Sequence, residues 1–146
     1  MTYLQSAMLL IFLVSLAGCG GNSASPSAPT AADLKIGTTG TATGPVGAAD
    51  VTFPVFAQYS VTGITPNSAL NVWERVTPSS VRVVLISASG TPVGSILGTV
   101  SLAIKDGSNP QASQFSTGAT AVIKDLNGAM IPQAQIAPTF AIDNVR

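Results

Sequence analysis

The first candidate for chemistry is Cys19, the one cysteine of the chain. A cysteine acts as a nucleophile in its thiolate form, which requires a base or a cationic neighbour. The chain has no histidine, and Cys19 lies between Gly18 and Gly20 with no charged residue beside it. The sequence therefore argues against a catalytic Cys19, and a lone cysteine also forms no intramolecular disulfide.

Other reactive groups are equally isolated. Serine and threonine hydroxyls have no imidazole to activate them. With no histidine and one cysteine, the chain also lacks the usual ligands of zinc. No feature of the sequence brings two carboxylates together for glycoside chemistry. We therefore predict no enzymatic activity, no cofactor and no metal. Calcium stays an alternative at two turns, whose oxygen ligands would come from Asp106, Asn109, Asp125 and Asn127.

The residues before Cys19 give it a different role. An apolar run covers residues 7–18, which suits the core of a signal peptide and is shorter than the roughly 20 residues of a membrane-spanning helix. Leu16, Ala17, Gly18 and Cys19 resemble the lipobox of bacterial lipoproteins. The resemblance implies that residues 1–18 are a cleaved signal peptide and that Cys19 is the lipidation site, acylated on sulfur, which attaches the protein to a membrane.

Residues 19–33 are rich in Gly, Ser, Pro and Ala and carry one charge, at the end of the segment. Such a composition buries too little apolar surface to offset the entropy of ordering, so we predict a flexible tether. The residue after Cys19 is Gly20 rather than Asp. In the lipoprotein family this implies the outer membrane, with the domain facing the periplasm or the cell surface.

Charge narrows the classes of partner. Six basic residues balance six acidic residues in 146, and charged residues make up 8% of the chain. Nucleic-acid binding needs clustered Lys and Arg, so we exclude it. The remaining protein partners are another envelope protein or a second copy of the same chain, because a weakly charged domain has little protection against association.

Residues 34–146 are predicted to form one all-β domain. Apolar residues alternate through 50–61, including Val51, Phe53, Val55 and Tyr59, and this period of two is typical of a half-buried strand. Pro54 lacks a hydrogen-bond donor and is expected at a sheet edge or a bulge. Similar segments are 34–39, 69–76, 81–88, 95–104, 113–123 and 135–145, separated by turn sequences, with no helical periodicity. About seven strands so spaced predict a single antiparallel, immunoglobulin-like sandwich.

One hairpin permits a prediction of register. If residues 69–76 and 81–88 are joined by a three-residue loop, Val76 faces Ser80 and Glu74 faces Arg82. A loop longer by one residue would set Arg75 against Arg82, which is unfavourable. The favoured register places Trp73 near Val83, as a core residue.

A further resemblance concerns residues 119–143. Val122, Asp125, Gly128, Pro132 and Phe140 resemble the strand-turn-strand of bacterial immunoglobulin-like modules of the invasin and intimin type. We expect a structural, adhesive or protein-interaction role, and the alternative is a carbohydrate- or small-ligand-binding module. Clustering of Trp73, Tyr59 or Phe115 on one exposed face would favour the ligand-binding module, and an exposed edge strand would favour association.

Overall fold

The computed structural model describes residues 27–146, so Cys19 and the predicted signal peptide lie outside the described residues. Eight strands and one short helix follow in chain order: β1 Ala31–Gly40, β2 Val46–Pro54, β3 Tyr59–Pro66, β4 Leu70–Val76, β5 Ser80–Thr91, β6 Ile96–Ile104, α1 Ala112–Ser116, β7 Thr120–Asp125 and β8 Ile136–Asp143. They form two antiparallel sheets, with strand orders β3-β6-β1-β8 and β4-β5-β2-β7. The prediction of an all-β antiparallel sandwich is confirmed.

The core lies between the inner faces of the two sheets. Alternate side chains of β1, β2, β5 and β6 are buried there, among them Leu34 and Ile36 of β1 and Val51 and Phe53 of β2. This is the period of two that the sequence shows, because successive side chains of a strand point to opposite faces. Phe53 also contacts Phe140 of β8 across the sandwich, with ring centroids 5.5 Å apart.

The prediction of one strand through residues 50–61 was wrong. The chain leaves β2 at Pro54, turns with a hydrogen bond from the Tyr59 N–H to the Phe56 carbonyl (2.9 Å), and continues as β3 in the other sheet. Pro54 lies on an interior strand rather than at a sheet edge or bulge. Pro54 is tolerated because β7 stops pairing with β2 at Thr52. The N–H group that proline lacks would therefore have no partner on β7.

A second correction concerns residues 113–123, which were predicted to form a strand. Residues 112–116 form α1, and β7 begins only at Thr120. The Gln114 side chain stabilises the helix start by accepting a hydrogen bond from the Gln111 N–H (2.8 Å). Phe115 is fully buried at this end of the sandwich, so tertiary packing of one aromatic ring overrides the local preference for a strand.

The β4–β5 hairpin also has a register different from the predicted one. Val76 pairs with Val81 and Arg75 with Arg82, so the loop spans residues 77–80. Thr77 closes this loop: its hydroxyl accepts a hydrogen bond from the Ser80 N–H (3.0 Å), and its own N–H donates to the Ser80 carbonyl (2.9 Å). The extra loop residue follows from this side-chain bond, which the prediction from charge alone did not include.

The domain begins slightly before Leu34. β1 starts at Ala31, and the N–H groups of Thr30 and Ala31 donate to the carbonyl of Arg146 (2.7 and 2.8 Å). The two ends of the described chain are therefore hydrogen-bonded to each other. Within residues 27–146, no helix has the length and apolar character needed to span a membrane.

Candidate interaction surface

The outer faces of the two sheets differ in chemistry. The first sheet carries short polar side chains on its edge strand β3 and the neighbouring β6, such as Thr65, Thr99 and Ser101. The second sheet carries large apolar side chains that remain exposed. Its outward residues include Trp73, Arg75, Arg82, Val84, Ile86, Asp50 and Val122, which are termed the Trp73 face.

The Trp73 face has one row of side chains that crosses all four strands. Trp73 of β4 lies opposite Val84 of β5, Val84 lies opposite Asp50 of β2, and Asp50 lies opposite Val122 of β7. Trp73 is 54% exposed, Ile86 49% and Val122 43%. Neighbouring strands are about 4.8 Å apart, so Trp73 and Val84 adjoin each other, Ile86 follows Val84 on the same face of β5, and Asp50 lies between Val84 and Val122.

Arg82 holds the centre of this surface in place. Its Nε donates to Asp50 Oδ1 (2.9 Å) and its Nη2 to Asp50 Oδ2 (2.6 Å). The Arg82 Cζ also lies 5.9 Å from the centroid of the Trp73 ring, within cation–π range. Hydrogen bonding from Arg82 lowers the pKa of Asp50, and the bond to Asp50 raises the pKa of Arg82. The ion pair therefore fixes the guanidinium against the indole ring.

The prediction of Trp73 as a core residue was wrong. The predicted register placed Trp73 beside Val83, which is fully buried, whereas the observed register pairs it with Val84 on the outside. A shift of one residue moves every side chain of a strand to the opposite face. The longer loop at Thr77 is thus the reason that Trp73 faces outward.

The other two aromatic candidates do not join Trp73. Tyr59 and Phe115 are buried and pack against each other, with ring centroids 5.5 Å apart. The Tyr59 hydroxyl donates to Gln114 Oε1 (3.1 Å). Trp73, Tyr59 and Phe115 therefore do not form the exposed aromatic cluster that would favour a ligand-binding module. Of these three residues, Trp73 alone is exposed.

The strand that carries Trp73 is a sheet edge. Within residues 27–146, β4 pairs with β5 alone. The Thr77 N–H bonds across to Ser80, whereas the Leu70 N–H bonds to Asn67, away from β5. Since backbone groups alternate in direction along an antiparallel strand, the N–H and C=O groups of Val72, Glu74 and Val76 point away from β5 towards the open edge.

The first sheet brings together a pair of acidic residues that the sequence does not indicate. Asp33 of β1 lies opposite Asp143 of β8 on the outer face of the first sheet. Lys35 bonds to Asp143, and the Asn144 side chain donates to Asp33 (2.9 Å). These bonds lower the pKa of both carboxyl groups. A glycosidase acid needs a raised pKa, which is the opposite of the direction found for Asp33 and Asp143. Their pairing depends on the β1–β8 register, for which the sequence holds no signal.

The two turns considered for calcium are closed by their own aspartates. Asp106 accepts a hydrogen bond from the Ser108 N–H, and Asp125 accepts from the N–H groups of Asn127 and Ala129, each at 2.9 Å. In the part of the chain that the structure describes, no group of three or more metal-ligating side chains is present. The carboxylates of these turns satisfy backbone donors instead.

Comparison with known proteins identifies the fold. No family model matches the sequence, and a search of curated proteins found no significant match. Solved structures with a similar fold include the following two. A cohesin module from a Clostridium perfringens family 33 glycoside hydrolase shares 22% identity over 77% of this chain and 84% of its own, with a TM-score of 0.55. A non-cellulosomal cohesin from the archaeon Archaeoglobus fulgidus shares 13% identity over 71% of this chain and 75% of its own, with a TM-score of 0.53. The chain thus has the β-sandwich fold found in cohesin modules.

Proposed function

We propose that the protein is a lipid-anchored cell-envelope protein that binds another protein through the Trp73 face. The observation that carries this proposal is the exposed Trp73 ring held by the Arg82–Asp50 ion pair. Its role is structural or adhesive rather than catalytic. The sandwich is the scaffold that positions the side chains of this face.

The composition of the Trp73 face supports protein binding. Tryptophan and arginine are enriched among the residues that contribute most to protein interfaces. Arg82 is already fixed by Asp50, so binding would cost little of its side-chain entropy. Val84, Ile86 and Val122 add apolar area beside these two residues, and apolar area is characteristic of an interface centre.

The anchoring part of the proposal rests on the lipobox of residues 16–19. Residues 20–30 separate Cys19 from β1. At ~3.5 Å per residue, such a segment reaches at most about 40 Å, enough for the domain to contact partners close to the membrane. Gly20 after the cysteine supports the outer membrane as the location.

Two experiments test the two parts of the proposal, which are the binding surface and the lipid anchor. For the surface, Ile86 is replaced by the photo-crosslinking residue p-benzoylphenylalanine in the full chain, expressed in bacterial cells, with Thr99 of the first sheet as the matched control. We expect a protein adduct from position 86, its loss on adding Trp73→Ala, and none from position 99. Equal adducts from both positions, or none from position 86, would contradict the proposed surface.

For the anchor, wild type and Cys19→Ala are labelled with an alkyne analogue of palmitate, and cells are fractionated. Label and membrane association are expected in the wild type and absent in Cys19→Ala. An unlabelled wild-type protein would contradict the lipid anchor without affecting the surface.

The exposed indole also gives the carbohydrate alternative a direct test, because Trp73 is the one tryptophan of the chain. Arg82 covers one face of the ring, so a sugar would stack on the other. A fluorescence change of Trp73 on adding cell-wall oligosaccharides, together with no protein adduct from position 86, would replace protein binding with sugar binding.

A further inference from the structure

We infer that β4 pairs antiparallel with β4 of a second copy of the chain, with Trp73 opposite Trp73 on the two-fold axis. The two β4-β5-β2-β7 sheets then join into one sheet of eight strands. This inference rests on the interaction role proposed above and names one partner for it. It concerns the edge of the Trp73 face, where β4 ends the sheet.

The open edge of β4 is suited to strand pairing. Val72, Glu74 and Val76 each direct an N–H and a C=O away from β5, and β4 contains no Pro or Lys. The other edges carry features that hinder pairing. β8 contains Pro138, β3 has an irregularity at Val61–Gly63, and β7 is partly covered by the bridge from Lys124 to Met130.

The register follows from overlap and charge. With Trp73 opposite Trp73, all of Leu70–Val76 is paired, and Arg75 faces Asn71 while Glu74 faces Val72 of the other copy. A shift of two residues in one direction sets Glu74 against Glu74, which is unfavourable. The same shift in the other direction shortens the ladder. The Trp73 register is the one that pairs the whole strand without opposing like charges.

The same register covers apolar surface. Trp73 falls in a non-hydrogen-bonded pair, where facing side chains are closest, so each indole covers the other. Val76, 47% exposed, comes opposite Leu70 of the other copy, next to a groove of about 510 Å³ between β3 and β4 that Tyr59 and Val61 also line. With a net charge of zero, two copies do not repel each other.

Disulfide trapping tests the pairing directly. The full chain carrying Asn71→Cys and Arg75→Cys is expressed in bacterial cells, and the membranes are oxidised. The register places these two positions opposite each other between copies, so a disulfide-linked dimer is expected. Each single variant is a matched control, because its cysteines are then far apart across the axis. Cys19 is present in every variant, so any contribution from it is common to all.

Two further substitutions in the double-cysteine chain test whether the dimer forms through the β4 edge. Glu74→Pro removes an edge donor that makes no bond to β5. Trp73→Lys sets two like charges opposite each other in the dimer. Because Trp73 is exposed, this variant is expected to keep the fold even if Glu74→Pro does not. Both are expected to abolish the dimer, and Trp73→Phe is expected to keep it. No dimer from the double variant, or equal dimer from the single variants, would overturn the inference.

The outcomes separate this inference from the proposed function. If position 86 yields an adduct with a different protein and the double variant gives no dimer, the second copy is excluded while the binding surface stands. If the double variant dimerises but position 86 yields no adduct, the edge pairs and the proposed face does not bind.

Discussion

Arg75 and Arg82 lie directly opposite each other in the β4–β5 ladder, on the same outer face. Like charges in this position repel each other. The repulsion is offset because Asp50, on the other side of Arg82, accepts two hydrogen bonds from its guanidinium. Asp50 of β2 is therefore part of what permits the register that exposes Trp73.

The first prediction concerns this triad of charges. Asp50→Asn should lower the free energy of unfolding, and adding Arg75→Ala should restore part of the loss, because the repulsion is then removed. Urea denaturation at low ionic strength should show a coupling between positions 50 and 75 on the order of 0.5 kcal/mol. Arg75→Ala alone is the control and should be close to neutral. Strictly additive effects would show that the two arginines do not interact.

The second prediction tests the helix that replaced an expected strand. Phe115 is fully buried, with its ring centroid 6.4 Å from that of Phe53. Phe115→Ala should destabilise the domain by about 3–5 kcal/mol, because it removes the ring and leaves a cavity. The exposed neighbour Ser116 provides the control variant Ser116→Ala, which should change the unfolding midpoint little. Similar values for both variants would mean that α1 is not part of the core.

The third prediction compares two strand glycines. A Cβ on Gly47 of β2 would overlap the carbonyl of Asp125, whereas a Cβ on Gly63 of β3 would meet nothing within 4 Å. Gly47→Ala should therefore cost about 1–3 kcal/mol, as expected for overpacking. Gly63→Ala should be neutral or slightly stabilising, because alanine restricts the unfolded chain. A reversed order in thermal unfolding would contradict the close β2–β7 packing.

The fourth prediction concerns pH. Hydrogen bonds lower the pKa of Asp33, Asp50 and Asp143 below the usual value of 3.8. A lowered folded-state pKa contributes stability that is present above 3.8 and lost as the pH falls through the lowered values. The chain has no histidine, so stability should be nearly constant between about pH 5 and 8 and should fall in acid.

Asp50→Asn is the control for this acid dependence. It should reduce the change in unfolding free energy between neutral and acidic pH, because one of the contributing carboxylates is gone. An unchanged dependence in this variant would mean that the Arg82 bond to Asp50 does not persist in solution.

Much of the fold was predictable because side chains of a strand are buried with a period of two, and apolar residues recur in the sequence with the same period. Val51 and Phe53 alternate with polar residues in the sequence and alternate between core and solvent in β2. The point at which the chain changes sheets was not predictable. Val55 and Tyr59 continue the apolar alternation across the break after Pro54, so the pattern alone reads as one strand.

The lipid anchor, unlike the orientation of the strands, is a prediction that does not depend on the fold. Residues 16–19 predict it from local sequence alone, and that prediction needs no fold because a lipobox is a short linear motif. Palmitate labelling, rather than the domain structure, is its test.

The sequence by itself determined that residues 69–76 form a strand and that Trp73 is its largest side chain. Only the tertiary structure decided which way Trp73 faces. The deciding feature is the Thr77 hydroxyl, which accepts the Ser80 N–H and holds a loop of residues 77–80. Because strand side chains alternate with a period of two, that single loop residue moves the indole from the core to the surface.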